Sequence, residues 1–220
     1  MKPNILIVIM SCYKNKHLWD KLKNIDNRTV IFYGNNNQQE EYLLNDQILS
    51  LKCKDTYDYL PIKVLLMIKA ISNLEKFKDI THIFKIDDHD TIFNENTIDA
   101  LSKILSLETV NYGGQHINGE KMNYLLNIPC GGVRNWHFGK VPKDSYWNNK
   151  IYEGPYTSWA DGGCGYVLSK YSMSLITEYY NNYIGDISKN YIYEDVMIAL
   201  ILFNYKVFAK KLDKIIIGDK

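Results

Sequence analysis

The sequence predicts an α/β protein with a mainly parallel central sheet flanked by helices. Short apolar runs rich in β-branched residues, Asn4–Met10, Thr29–Tyr33 and Ile80–Ile86, each stop at polar or glycine positions. They have the length and composition of buried strands. From Pro61, the residues Ile62, Leu65, Leu66, Ile68, Ile71, Leu74 and Phe77 recur at three- and four-residue steps. That spacing marks one apolar face of a helix opened by proline. The two kinds of segment alternate, and a β-α-β order implies right-handed crossovers and parallel pairing.

Taken in order, Asn4–Met10 is the first strand, Lys16–Leu22 a short helix and Thr29–Tyr33 the second strand, ending at Gly34. Asn35 to Gln39 form a polar loop. The Pro61 helix, the strand Ile80–Ile86 and a helix over Thr97–Leu107 follow. Residues 111–165 hold many Gly, Asn and aromatic residues, which predicts short strands and loops over the sheet edge. Helices are expected at Ser172–Tyr183 and from Glu194 through Phe203. No Pro/Ser-rich linker divides the chain. One domain over 1–220 is expected, in two halves that meet at about 110.

Composition narrows the function classes. The 220 residues are enough for a sizeable core. A net charge of +1, with no dense basic tract, gives no electrostatic case for nucleic acid or an anionic membrane. Cys12, Cys53, Cys130 and Cys164 form no C-x-x-C pair, which argues against a zinc knuckle and makes a reducing compartment the default. The first apolar run is too short to span a bilayer and lacks a convincing cleavage site, so a cytoplasmic protein without a membrane span is expected. The richness in Asn, Lys, Ile and Tyr fits an AT-rich genome, such as those of some large DNA viruses or bacteria.

The most informative stretch is Asp88-His89-Asp90, preceded by Asp87, at the end of the Ile80–Ile86 run. Open α/β sheets bind ligands past the carboxyl ends of their strands. Two carboxylates one residue apart suit a hard divalent cation, which takes oxygen ligands and can neutralise a departing diphosphate. The competing reading of such a triplet is a solvated acidic turn.

Three further segments stand in order around it: Asp55-Thr56-Tyr57-Asp58-Tyr59-Leu60-Pro61-Ile62-Lys63, Asp161-Gly162-Gly163-Cys164-Gly165-Tyr166-Val167-Leu168-Ser169, and Tyr193-Glu194-Asp195-Val196. With Lys85-Ile86-Asp87-Asp88, this series resembles the β-1,3-galactosyltransferase and fringe-like group of inverting glycosyltransferases, family 31. That group shows D-x-Y-x-N-L-x-x-K, then K-x-D-D-D after a strand, then G-G-x-G-Y-x-L-S, then E-D-V opening a helix. The likeness spans about residues 55–203.

The resemblance implies a GT-A fold, Rossmann-like, with a DxD metal site, a nucleotide-sugar-binding half to about residue 110 and an acceptor-binding and catalytic half beyond it. It implies a UDP-sugar donor, Mn²⁺ or Mg²⁺, a glycan or glycoconjugate acceptor and transfer with inversion. Asp88 and Asp90 form the DxD, with Asp87 able to replace either, because His89 interrupts the usual Asp triplet. The late histidine that the family gives to the metal has no counterpart after His137, leaving that ligand missing or replaced by water or Asp213. Pro61 stands near where the family favours a Leu-Thr pair.

Each residue has a functional and a plain reading. Asp195 is the first choice for the base that takes the acceptor proton, with Glu194 next and Asp161 the rival. The plain reading of Glu194 and Asp195 is acidic capping of a helix. Asp161 either binds a hydroxyl or bonds its own turn. For the donor, Lys63 supplies a charge for phosphate or is a solvent-facing helix lysine. Asp55 and Tyr57 hold ribose or base, or serve the turn. Ser11 and Cys12 are chosen for position after the first strand. Asp87 and Asp88 face the donor. Gly162 and Gly163 let a ligand approach backbone, or make a tight turn. Trp136, Trp147, Tyr152, Tyr156 and Trp159 form a sugar-facing pocket or a satellite core. His116 and His137 are expected to be structural.

Two rival functions remain at this stage. A strand followed by D-x-D-T is similar to haloacid-dehalogenase-like phosphatases, although Thr91 falls one place early for their D-x-D-G-T order and their motif sits near the N-terminus. The other is a catalytically degenerate carbohydrate-binding protein.

Overall fold

A computed structural model describes residues 2–88, 95–119 and 132–212. Apolar alternation builds the centre of the molecule. Strand β1 (Ile5–Met10) sends Ile5, Ile7 and Ile9 to one face and Leu6, Val8 and Met10 to the other, and every residue in it is buried. Such two-sided burial is what a continuous apolar run means in a parallel sheet. Strand β2 (Thr29–Gly34) and strand β5 (His82–Asp87) flank β1, both parallel to it.

The remaining strands are β3 (Tyr42–Asn45), β4 (Ile48–Leu51), β6 (Tyr112–Gly114), β7 (His116–Ile117), β8 (Trp159–Ala160), β9 (Tyr166–Ser169) and β10 (Lys210–Lys211). Among the described residues, eight strands form one sheet in the order β10-β6-β9-β5-β1-β2-β4-β3. Strands β9 and β3 run against the rest. A separate antiparallel pair joins β7 to β8.

The helices are α1 (Trp19–Lys23), α2 (Leu60–Asn73), α3 (Glu95–Leu107), α4 (Lys170–Asn182), α5 (Ile187–Asn190) and α6 (Glu194–Asn204). Residues of α2, α4 and α6 pack on the face of Leu6, Val8 and Met10, while Trp19 of α1 and Ile98 and Leu101 of α3 pack on the face of Ile5, Ile7 and Ile9. Pro61 lies in the first turn of α2, where its missing N–H costs no bond. The protein is a mixed α/β domain with a large, mostly parallel sheet between helices, consistent with a GT-A-like fold.

Three details differ from the sequence reading. Helix α2 stops at Asn73, and Leu74 and Phe77 continue its apolar face through an extended residue and a 3-10 turn. The hairpin β3–β4 was not anticipated, although Asn45-Asp46 is a turn signal and Asp46 adopts φ 54°. The second half of the chain does not merely overlie the sheet edge. Strand β9 lies inside the sheet between β5 and β6, pairing Tyr166 with Lys85.

Candidate active site

The carboxyl end of β5 and the start of α6 meet through one ammonium group. Lys85 is completely buried. Its Nζ donates to Asp87 Oδ1 at 2.6 Å, Glu194 Oε1 at 2.7 Å and the Gly162 carbonyl at 3.2 Å, and lies 5.5 Å from the Tyr166 ring centroid. Three donors meet three acceptors, the full capacity of an ammonium. Burial opposes its charge, yet Asp87 and Glu194 hold its pKa above the ordinary lysine value. Lys85 therefore ties together β5, the glycine turn and α6.

Both oxygens of Glu194 are engaged by side chains, one of them a cation. Oε1 takes Lys85, Oε2 accepts from the Tyr166 hydroxyl at 2.8 Å, and the residue is buried. Asp195 differs. Its Oδ2 accepts from Gly162 N–H at 3.1 Å, its Oδ1 from Val196 N–H at 2.8 Å, and its side chain is half-buried. Burial, and next the charge of Glu194, push its pKa up to about 7, against the pull of the two N–H groups. A carboxylate so poised is matched to taking a proton near neutrality. Asp161 is half-buried and uses Oδ1 to accept from Cys164 N–H at 2.9 Å, the local turn bond of its plain reading.

The glycine turn is shaped for this packing. A Cβ on Gly162 would lie 2.5 Å from Glu194 Oε1, so a side chain there displaces the carboxylate from Lys85. Gly165 has φ +91°, and its Cβ would lie 2.6 Å from Ile86 Cγ2 and 3.0 Å from the Lys85 carbonyl. We expect Gly165→Ala to destabilise the fold by about 1–3 kcal/mol, measured as a lower urea midpoint at unchanged m-value.

A second cluster sits at the carboxyl ends of β1 and β2. Ser11 Oγ donates to Asp88 Oδ2 at 2.6 Å, Asn15 Nδ2 donates to the same oxygen at 2.9 Å, and the Trp19 indole N–H donates to Ser11 Oγ at 2.8 Å. Asp55 Oδ1 accepts from Lys63 Nζ at 2.5 Å and Gly34 N–H at 3.0 Å, and its Oδ2 accepts from Tyr13 N–H at 2.6 Å. Lys63 also donates to the Ser11 carbonyl at 3.1 Å. Lys63 is thus buried, not solvent-facing, and its charge is spent on fixing Asp55 and the loop after β1. Burial, then the charge of Asp55, raise the Cys12 thiol pKa, so this half-buried residue is a poor nucleophile.

Tyr57, in the turn before α2, is half-buried. Burial first, then the charges of Asp195, Asp87 and Glu194, raise its hydroxyl pKa above the ordinary value. Half-buried Gly163 stands beside Gly162 in the turn. Asp90, the other DxD carboxylate, and Asp213 lie outside the described residues, as do His89 and Cys130. No group of three or more His, Cys, Asp or Glu suited to a metal occurs among the described residues.

Sequence reasoning missed four contributors. In the sequence Lys85 is only part of a motif, and nothing local shows that a strand lysine will be buried. Asn15 carries no signal beyond its place after β1. Tyr166 matched a motif end, without a reason for its hydroxyl. Tyr13 is 58% exposed, with Tyr33 6.0 Å and Trp19 6.3 Å from its ring centroid. An aromatic residue just past a strand's carboxyl end was the available clue to it.

The match to known proteins follows this geometry. The galactosyltransferase family model matches residues 34–213, most of the chain. The chain belongs to the galactosyltransferase family. The match covers Asp55, Lys63, Lys85, Asp87, Asp88, the glycine turn and the Glu194–Asp195 pair, whereas Ser11, Cys12 and Tyr13 precede it. No curated protein matches the chain. Membership makes this protein a glycosyltransferase and implies a sugar donor and a glycan acceptor. The phosphatase reading loses its ground against it. No helix among the described residues is long and apolar enough to cross a membrane.

Proposed function

We propose that this galactosyltransferase-family protein moves a sugar from a UDP-sugar to a glycan hydroxyl with inversion, using a divalent cation and Asp195 as base. The observation that carries the reading is the contrast within the acid pair. Glu194 is closed off by Lys85 and Tyr166, whereas Asp195 is half-buried, held only by backbone N–H groups, and poised near neutrality. In a single displacement the acceptor oxygen attacks the anomeric carbon as Asp195 takes its proton. The bond from that carbon to the diphosphate breaks, and inversion follows from attack opposite the leaving group.

The donor set fits a hard cation. Asp88 Oδ2 accepts from two neutral donors, the Ser11 hydroxyl and the Asn15 amide, whereas Asp87 is ion-paired with Lys85. Asp88 and Asp90 would hold Mn²⁺ or Mg²⁺, and the ion would neutralise charge on the departing diphosphate. The nucleotide would lie over the loop of Ser11 and Cys12, with the exposed ring of Tyr13 beside the base, Asp55 and Lys63 fixing the loop beneath, and Tyr57, Gly162 and Gly163 lining the sugar end. A cytoplasmic location remains part of this proposal.

Calorimetric titration of UDP with and without Mn²⁺ tests the donor site. The expected result is binding that requires Mn²⁺ in the wild type and is lost, by at least about tenfold, in Asp88→Ala, since one anionic oxygen ligand is gone. Metal-dependent UDP affinity unchanged in that variant would sink the DxD assignment.

A further inference from the structure

The aromatic residues of the loop-rich second half divide sharply. Trp147, Tyr152, Tyr156 and Trp159 are all buried and belong to the main core. Trp136 is 63% exposed. The even choice between sugar pocket and satellite core therefore has two answers, packing for the four and solvent for Trp136.

Lys140 stands near both Trp136 and Tyr57. Lys140 Nζ is 4.0 Å from the Trp136 ring centroid and 5.5 Å from that of Tyr57. The Tyr57 hydroxyl in turn feels the charges of Asp195, Asp87 and Glu194. The backbone beneath Trp136 is anchored as well. The next residue, His137, is fully buried, with Nδ1 2.8 Å from the Tyr193 hydroxyl and Nε2 2.8 Å from the Lys150 carbonyl. Its ring packs against Phe138, Trp147 and Tyr193. Tyr193 immediately precedes Glu194 and Asp195 and is the N-cap residue of α6. One buried histidine thus fixes the position of an exposed indole relative to the base. Exposing so large a ring on a rigid anchor forfeits burial energy, and a bound apolar face recovers it.

We propose that Trp136 is the platform on which the acceptor sugar stacks, through the C–H face of its ring, while its hydroxyls turn to water and to the acid pair. This rests on the reading of Asp195 as base. Trp136 then binds the acceptor and has no part in holding the donor.

The fluorescence of the protein tests this directly, because the other three tryptophans, Trp19, Trp147 and Trp159, are buried. The wild type, Trp136→Phe and Trp136→Ala are titrated with methyl α- and β-glycosides of glucose, galactose, mannose and N-acetylglucosamine, and with β-linked disaccharides of these sugars. The expected result is a blue shift of wild-type emission with at least one of them and none in Trp136→Phe. Affinity for that sugar should fall about tenfold in Trp136→Ala and much less in Trp136→Phe. A shift that survives in Trp136→Phe, an affinity unchanged in Trp136→Ala, or no shift with any sugar of the panel overturns the proposal. UDP titration of the same variants separates this failure from failure of the donor reading. Absent UDP binding with an intact Trp136-dependent sugar shift sinks the donor site and leaves the platform standing.

Discussion

Asp195→Asn is expected to lower turnover by about 10²–10⁴-fold, the usual worth of a general base, while UDP affinity stays within about twofold. The carboxylate accepts N–H bonds from Gly162 and Val196 on its two oxygens and is not tied to a cation, so the amide removes the proton acceptor and keeps one oxygen for one of these N–H groups. In the wild type the acid limb of the turnover profile should fall off through about pH 7, where Asp195 gains its proton. The same substitution should remove a cost of folding that Asp195 imposes as pH rises. Its folded-state pKa is raised from 3.8, so the penalty for ionisation is absent at pH 4, grows as pH rises and is complete above about 7. Between pH 4 and pH 8, Asp195→Asn should therefore gain about 1–3 kcal/mol on the wild type, after discounting for solvent at a half-buried site. Transfer that survives in Asp195→Asn would pass the role to Asp161. Loss of transfer together with a stability difference from wild type that stays the same from pH 4 to pH 8 would recast Asp195 as a structural cap.

Lys85→Met should be the most damaging single change to stability, costing about 3–5 kcal/mol, because it leaves the Asp87 and Glu194 carboxylates facing each other without their shared cation. Methionine fills most of the space, so lost packing is a small part of the effect. The partner test is Lys85→Met combined with Glu194→Gln. Removing one carboxylate should recover about 1–3 kcal/mol of the loss, read from urea denaturation of both single variants and the double variant. Additive losses would show that Lys85 acts through packing alone. Glu194→Gln by itself should also move the acid limb of turnover downwards in pH, since the Glu194 charge raises the Asp195 pKa.

Much of the frame was legible in the chain because it follows from short-range periodicity. The buried runs became β1, β2 and β5, and the Pro61 helix became α2, because two-sided burial and a single apolar stripe leave different signatures. The order of motifs pointed to the family, and the family match agrees. The hairpin β3–β4 and the strands β6, β9 and β10 were less legible. They are two to four residues long and take their extended form from neighbours in the sheet.

The site divides the same way. The sequence by itself determined which chemistries were present: carboxylates after a strand, an acidic pair opening a helix, glycines between them, and aromatic residues nearby. Only the tertiary structure decided which of those groups remain available. Antiparallel insertion of β9 beside β5 sets Tyr166 opposite Lys85 and brings Gly162 and Glu194 to the same ammonium. That closes Glu194, leaves Asp195 to backbone N–H groups, and commits Lys63 to Asp55. The physical reason is that a charge's role depends on its partners and its access to water. Glu194 and Lys85 are 109 residues apart in sequence, a pairing that no local pattern encodes.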